Sequence, residues 1–147
     1  MASEGSGGIE ANKGIVVAFL GHYTAERYEE ALALLGDDIR WWMPGRPGEF
    51  AAAGTVDRRE LERRLRGTRA RLPGGLDLRV VALTAEGDRV AAEVAGRGIT
   101  STGREYSNEY HFVFVVKGGL IRSVREYLDT LHAHLVFGVP AAEKPAG

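Results

Sequence analysis

The sequence of 147 residues contains no cysteine, which excludes disulfide bonds, thiolate metal sites and cysteine nucleophiles. It also lacks any apolar run of the roughly 20 residues needed to cross a bilayer, and its start does not have the pattern of a secretory signal. Neither sign of charge is in large excess, because 19 basic and 20 acidic side chains give a formal net charge of -1. We therefore expect a cytoplasmic protein that binds neither membranes nor nucleic acids.

The chain has the length of one domain with a single core, and no repeat or long linker divides it. Both ends are rich in small residues, so we expect a disordered segment over 1–10 and a flexible tail over 139–147. A single folded domain is predicted for residues 11–138.

Hydrophobic periodicity changes along the chain. Apolar residues at helical spacing predict two helices in the first third and a third helix from Asp57. Between them, a short aromatic strand over 39–43 precedes a Gly/Ala-rich loop, 45–54, that we expect to gate a cavity. Alternating residues then predict an antiparallel meander over 76–85, 88–99, 105–116 and 119–128, before a last helix at 130–137. This order predicts an α+β domain, a cone-shaped curled antiparallel sheet packed against N-terminal helices around an internal cavity.

The last hairpin predicts which side chains face that cavity. A three-residue loop, Lys117 to Gly119, would pair Tyr110 with Glu126. The inner face would then carry Asn108, Tyr110, Phe112, Val124, Glu126 and Leu128. A glutamate among apolar side chains should have a raised pKa, which a proton carrier near neutral pH requires. Glu126 is therefore the leading catalytic candidate, and a structural carboxyl bonded to a tyrosine or an arginine is the alternative.

Other polar and aromatic residues carry weaker signals. Tyr110 could donate a hydrogen bond to a developing oxyanion or could serve packing alone. Trp41 and Met43 alternate with Arg40 and Trp42, so one of the two pairs faces the interior. The seven arginines between 58 and 71 interleave with acids, which favours a solvated helix face. Neither a metal-binding nor a dinucleotide-binding motif is present, so no cofactor is expected.

Three phrases that follow the first two predicted helices carry a family resemblance: GDDIRWWMPG, GDRVAAEVAGRG and GREYSNEYHFVFVVKGGLIRSVREYLDT. Together they resemble the SnoaL-like branch of the nuclear transport factor 2-like superfamily over about 12 to 137. The resemblance implies the cone fold and a homodimer formed through the sheet. It leaves activity open, because this fold hosts ketosteroid isomerases, polyketide cyclases, limonene epoxide hydrolases, dehydratases and non-catalytic binders. An arginine-rich, alanine-rich and lysine-poor composition suggests a bacterial source.

The known catalytic patterns of these relatives are only partly present. The ketosteroid isomerase pattern needs an aspartate where this chain has Met43 and a tyrosine where it has Phe19, whereas Tyr110 replaces a protonated aspartate that donates a hydrogen bond. The limonene epoxide hydrolase pattern matches one carboxylate, at Glu126, but places Glu93 where those enzymes have an arginine. Neither reaction is therefore predicted by its usual set of residues.

Two arguments disagree about which alternate side chains of the strand over 88–99 face the cavity. Simple hairpin pairing directs Val94 inward and Glu93 outward toward His111, whereas the family pattern implies the opposite. We follow the family pattern, which places Glu93 and Arg97 in the cavity and would need one bulge.

We predict a small cofactor-independent enzyme of isomerase, cyclase, dehydratase or hydrolase type that acts on a hydrophobic molecule with a polar oxygen. The alternative is a non-catalytic small-molecule binder or dimeric structural member of the same fold. The predicted catalytic residues are Glu126, Tyr110 and Glu93. The predicted substrate-binding residues are Phe19, Trp41, Met43, Arg97, Asn108, Phe112 and Leu128.

Overall fold

A computed structural model describes residues 8–138. Its helices are α1 (Ile9–Thr24), α2 (Tyr28–Ala33), α3 (Arg58–Arg66), α4 (Thr68–Arg71) and α5 (Thr130–Ala133), and α5 continues as a π-helical turn over His134–Gly138. Its strands are β1 (Leu35–Met43), β2 (Gly54–Val56), β3 (Asp77–Glu86), β4 (Arg89–Ile99), β5 (Glu105–Lys117) and β6 (Leu120–Tyr127). The domain is α+β, as predicted.

The helices follow local signals with two departures. Helix α1 begins at Ile9, so residues 9 and 10 of the segment expected to be disordered are helical. Residues 1–7 of that segment and the tail over 139–147 lie outside the described residues. Asp57 caps α3 by accepting a hydrogen bond from the backbone N–H of Glu60 at 3.1 Å. The single helix expected there is divided at Gly67 into α3 and α4.

The six strands form one curled sheet in the order β2-β1-β6-β5-β4-β3. The sheet is mixed rather than wholly antiparallel, because β1 pairs in parallel with β6. Strand β1 also begins four residues earlier than expected, at Leu35, and β2 was not predicted. The parallel pairing joins strands that are far apart in the chain, and local periodicity does not encode such partners. Breaks in register along β1, β3 and the β5–β6 pair bend the sheet toward the helices.

The last hairpin has a different register from the one predicted, yet its side chains face as expected. Lys117 pairs with Leu120 across a two-residue turn, and a bulge at Arg122 shifts the strands once more. Glu126 therefore lies opposite Phe112 rather than Tyr110. Relative to the predicted pairing, the register is shifted by two residues in total. Because side chains alternate with a period of two, the side chains predicted to face inward still do so.

Phe19 and Leu20 of α1 pack onto the sheet around Phe114 and Val124 in the main core, where all four are at most 1% exposed. A cavity adjoins this core, and Phe19 and Leu20 contribute to both. None of the helices within residues 8–138 has the length and apolar character that crossing a membrane requires.

Candidate functional site

A cavity of about 370 Å³ lies between the inner face of the sheet and helices α1, α3 and α4. Its walls are mainly aromatic and aliphatic, and Phe50 reaches it from the connection between β1 and β2. Glu126 is the single carboxylate among the described residues that line it. A mostly apolar cavity with few polar groups is the usual form of a small-molecule site.

Glu126 projects from β6 into this cavity and is 7% exposed. The indole Nε1 of Trp41 donates a hydrogen bond to its Oε1 at 2.7 Å, whereas Oε2 has no hydrogen-bond partner within residues 8–138. Burial raises the pKa of Glu126 to about 7, against the opposing effects of the Trp41 hydrogen bond and the charge of Arg64. The carboxyl therefore exchanges between its acid and base forms near neutral pH.

A chain of hydrogen bonds leads toward Glu126 along β5. The amide Nδ2 of Asn108 donates to the hydroxyl of Tyr106 at 3.0 Å, and the hydroxyls of Tyr106 and Tyr110 lie 2.6 Å apart. Burial raises the pKa of Tyr106 to about 12 and that of Tyr110 well above its ordinary value, and the charge of Glu126 acts on both in the same direction. Both phenols therefore remain protonated and able to donate.

A third phenol, Tyr23, reaches the cavity from α1. Its hydroxyl lies 2.8 Å from Oγ1 of Thr68, which itself donates to the carbonyl oxygen of Arg64. Tyr23 is accordingly the donor to Thr68, because a hydroxyl has one hydrogen to give. Burial raises its pKa to about 12, and Glu126 again contributes in that direction. The charge of Glu126 thus helps to raise the pKa of three phenols, those of Tyr23, Tyr106 and Tyr110.

Seven of the ten predicted site residues line the cavity: Glu126, Tyr110, Phe19, Trp41, Met43, Phe112 and Leu128. Trp41 and Met43 form the inward pair of β1, whereas Trp42 lies on the outer face with Arg125.

Glu93 and Arg97 do not lie in the cavity, which corrects the parity taken from the family pattern. Strands β4 and β5 pair without a break in register, so Glu93 faces outward beside His111 and Val94 faces inward beside Tyr110. Arg97 is exposed and forms an ion pair with Glu105 on the outer face. The hairpin rule gave the correct parity because no bulge interrupts the pairing.

Asn108 is buried but is not among the residues that line the cavity. Its Oδ1 accepts a hydrogen bond from the backbone N–H of Asp129 and its Nδ2 donates to the carbonyl oxygen of the same residue, each at 3.0 Å. The side chain of Asn108 therefore uses its polar atoms to bind the backbone just after β6 and the hydroxyl of Tyr106. Asn108 thus positions Tyr106 and is not part of the cavity wall.

Several polar residues that line the cavity were not predicted from the sequence: Tyr23, Arg63, Arg64, Thr68, Arg71, Tyr106 and His134. Tyr106 could have been found, because it shares the two-residue alternation of Asn108 and Tyr110. Arg64 and Arg71 stand seven residues apart, at helical spacing, but the acids around them suggested a solvated face. Within residues 8–138, no three His, Cys, Asp or Glu side chains come together as a metal site.

Comparisons with known proteins agree on the fold. Among solved structures, an NTF2-like protein of unknown function from Burkholderia pseudomallei is 17% identical, with a TM-score of 0.77 over 89% of this chain and 100% of that one. A second NTF2-like protein, from Burkholderia xenovorans, is 24% identical, with a TM-score of 0.70 over 88% and 97%. TerC, co-crystallised with polyporic acid, is 19% identical, with a TM-score of 0.74 over 86% and 97%.

These identities are low, so the likeness to solved structures establishes the fold alone. Among curated proteins, none matches this sequence. The family comparison is more specific, because the model of the SnoaL-like domain matches residues 16–134, which include every strand and most of α1. The chain therefore belongs to the SnoaL-like family.

Proposed function

We propose that this protein is a small cofactor-independent enzyme that moves a proton on a hydrophobic molecule held in its cavity. The observation that carries the proposal is Glu126, a buried carboxyl whose Oε2 accepts no hydrogen bond from residues 8–138 and whose pKa is raised to about 7. A general base works best when its pKa lies near the operating pH.

The proposed chemical step is proton abstraction from a carbon next to a carbonyl group. The Glu126 carboxylate takes the proton, the C–H electron pair forms a carbon–carbon double bond, and the carbonyl oxygen gains the negative charge. The neutral acid then returns the proton to another atom of the same molecule. Isomerases, cyclases and dehydratases can share this step, and a hydrolase would instead use the carboxylate to activate water.

Tyr110 is the proposed donor to the carbonyl oxygen. When Tyr106 donates to Tyr110, the hydrogen of Tyr110 is free to point into the cavity. Asn108 favours this arrangement, since its amide already occupies one acceptor site on Tyr106 at 3.0 Å. A donor fixed in advance stabilises an oxyanion without reorganising during the reaction. Phe19, Trp41, Met43, Phe112 and Leu128 would enclose the apolar body of the substrate, and the 45–54 loop, through Phe50, would gate entry.

The test follows deuterium uptake next to the carbonyl group of bicyclic aromatic ketones, beginning with 1-tetralone, in D₂O by NMR. We expect Glu126→Gln to slow enzyme-dependent exchange about 100-fold or more, because general base catalysis typically contributes that much. Tyr110→Phe should slow it less. Glu30→Gln, a change at an exposed glutamate of α2, is the control and should leave the rate unchanged. Equal rates for Glu126→Gln and the wild type would contradict the proposal.

A non-catalytic ligand-binding protein is the second candidate, and one observation favours it. Oε1 of Glu126 already accepts a short hydrogen bond from Trp41, as a structural buried carboxyl would. The solved structure of TerC with polyporic acid supports a small organic ligand under either hypothesis. A ketone that shifts Trp41 emission stoichiometrically and is recovered without deuterium would favour the binder.

We also propose that the outer face of the sheet pairs with a second copy of the chain in the cytoplasm. Val81 and Ile99 are each 54% exposed, and Tyr127 is 39% exposed, all on strands of this sheet. Glu109 and Arg125, exposed with opposite charges, make a face able to complement itself across a two-fold axis. Sedimentation should give a dimer at micromolar concentration, and a monomer there would contradict this proposal.

A further inference from the structure

The cavity has an uneven distribution of charge. Glu126 is its one carboxylate, whereas three arginines on α3 and α4 reach its lining: Arg63, Arg64 and Arg71. His134 lines it as well and has no hydrogen-bond partner for its buried Nδ1 within residues 8–138. Near neutral pH, Glu126 is only partly ionised, because its pKa is about 7. Even when Glu126 is ionised and Glu60 is counted against Arg63 and Arg64, the three arginines leave the site with net positive charge.

Most arginines of these two helices are already neutralised by acids. Arg58 is paired with Glu62 at 2.8 Å, and Arg69 with Glu26 at 2.7 Å. Arg66 is paired with Glu29, and Arg63 binds both carboxylate oxygens of Glu60. These pairs lie partly or fully in solvent and account for the mixture of charges that the sequence suggested as a solvated face.

Arg64 and Arg71 are different. Arg64 uses only its Nε, which donates to Glu60 at 2.9 Å, and its remaining guanidinium N–H groups have no partner within residues 8–138. Arg71 has neither an ion pair nor a hydrogen bond from its side chain to any residue in that range, and its guanidinium carbon lies 6.0 Å from the centre of the Phe137 ring. Two arginines with unused donors therefore reach one apolar cavity.

Arg64 is also close enough to the carboxyl of Glu126 for its charge to act on it, and Arg71 acts similarly on Tyr23. A group bound by these arginines would consequently lie within the same cavity as the proposed proton carrier. Arginine suits such a role, because its planar N–H groups match a carboxylate in two parallel hydrogen bonds.

We propose that Arg64 and Arg71 bind an acidic group of the ligand, so that the substrate is a hydrophobic molecule with a carboxylate or another anionic oxygen at one end. The apolar walls hold its body, and the arginines hold the anionic end. The inference rests on the proposed function only in taking the cavity as the ligand site, and it does not depend on catalysis.

The test compares two fluorescent probes that differ by one charged group. 8-Anilino-1-naphthalenesulfonate is an anion, and N-phenyl-1-naphthylamine has the same rings without the sulfonate. Titration of each into the wild-type protein at low salt should give tighter binding of the anion, and the neutral probe should displace it. Arg71→Gln and Arg64→Gln should each weaken binding of the anion about tenfold, the typical effect of losing one charge-assisted hydrogen bond.

Binding of the neutral probe reports whether the cavity is intact, so it should change less than twofold in both variants. Arg69→Gln is the matched control, because this arginine is two residues from Arg71 but is paired with Glu26. That variant should bind both probes as the wild type does. Added salt should weaken binding of the anion to the wild type more than to Arg71→Gln.

Three results would overturn the inference: equal affinity of the wild type for both probes, unchanged affinity for the anion in Arg64→Gln and Arg71→Gln, or binding of neither probe. Loss of deuterium exchange in Glu126→Gln tests the proposed function separately. A catalytic Glu126 with no preference for the anion would refute only the role of the arginines. A preference for the anion without exchange would refute only the chemistry.

Discussion

Two pairs, each made of a tryptophan and a charged residue, lie on opposite faces of the same two strands. On the inner face, Trp41 of β1 donates a hydrogen bond to Glu126 of β6 at 2.7 Å. On the outer face, their chain neighbours Trp42 and Arg125 are directly paired in register, with the guanidinium carbon 3.7 Å from the centre of the indole ring. The pleat of the strands therefore separates two similar pairs by the thickness of one sheet.

The difference between the pairs lies in their access to water. Arg125 is exposed and donates a further hydrogen bond to the hydroxyl of Tyr127 at 3.0 Å, so its charge stays solvated. Glu126 is 7% exposed, and burial raises its pKa to about 7. An exposed cation over an aromatic ring contributes about 0.5–1 kcal/mol, whereas a buried carboxylate costs several times that amount unless it takes up a proton. This difference is the reason why we propose proton transfer on the inner face and association on the outer face.

The largest expected effect is a pH-dependent gain of stability in Glu126→Gln. Below the ordinary pKa of 4.5, Glu126 is protonated in both the folded and the unfolded wild type, so its ionisation does not lower the free energy of unfolding. As pH rises toward about 7, the unfolded chain loses the proton first, so the wild type becomes less stable. At 1.36 kcal/mol per pKa unit, the penalty reaches about 3 kcal/mol by pH 8. Urea unfolding should find the variant more stable at pH 8 by up to that amount.

The same measurement at pH 5 should find a difference below about 1 kcal/mol, since little of the penalty has developed there. Glu30→Gln, at an exposed glutamate of α2, is the control and should follow the wild type at both pH values. If the gain in Glu126→Gln is the same at pH 5 and pH 8, the carboxyl does not have a raised pKa in the folded protein.

Much of the fold could be predicted from sequence because strand alternation is local. The side chains on the inner faces of β5 and β6 were predicted correctly although their register was not. The register differs by two residues in total, which leaves each side chain on the same face. The parallel pairing of β1 with β6 could not be predicted, because it joins residues more than 80 positions apart. Strand order of that kind depends on tertiary packing rather than on local pattern.

The candidate site was less predictable than the fold. Glu93 was misplaced because a family pattern transferred position by position is sensitive to a shift of one residue, whereas the uninterrupted β4–β5 pairing sets its direction. Arg64 and Arg71 were missed because paired and unpaired arginines look alike in a sequence. Arg64 has one partner, Glu60 on its own helix, and Arg71 has no side-chain hydrogen bond or ion pair within residues 8–138. Only the folded structure shows which of their N–H groups stay unused.

A smaller effect distinguishes the two tryptophans directly. Trp41→Phe keeps an aromatic ring but removes the donor to Glu126, so the pKa of that carboxyl should rise further and stability at pH 8 should fall by about 1–3 kcal/mol. Trp42→Phe keeps a ring beneath Arg125 and should cost less than about 1 kcal/mol, without moving that pKa. Carboxyl NMR titration, with Glu126→Gln to assign the resonance, measures the pKa, and urea unfolding measures the stability. Equal pKa values in the two variants would mean that the indole of Trp41 packs beside Glu126 without stabilising its charged form.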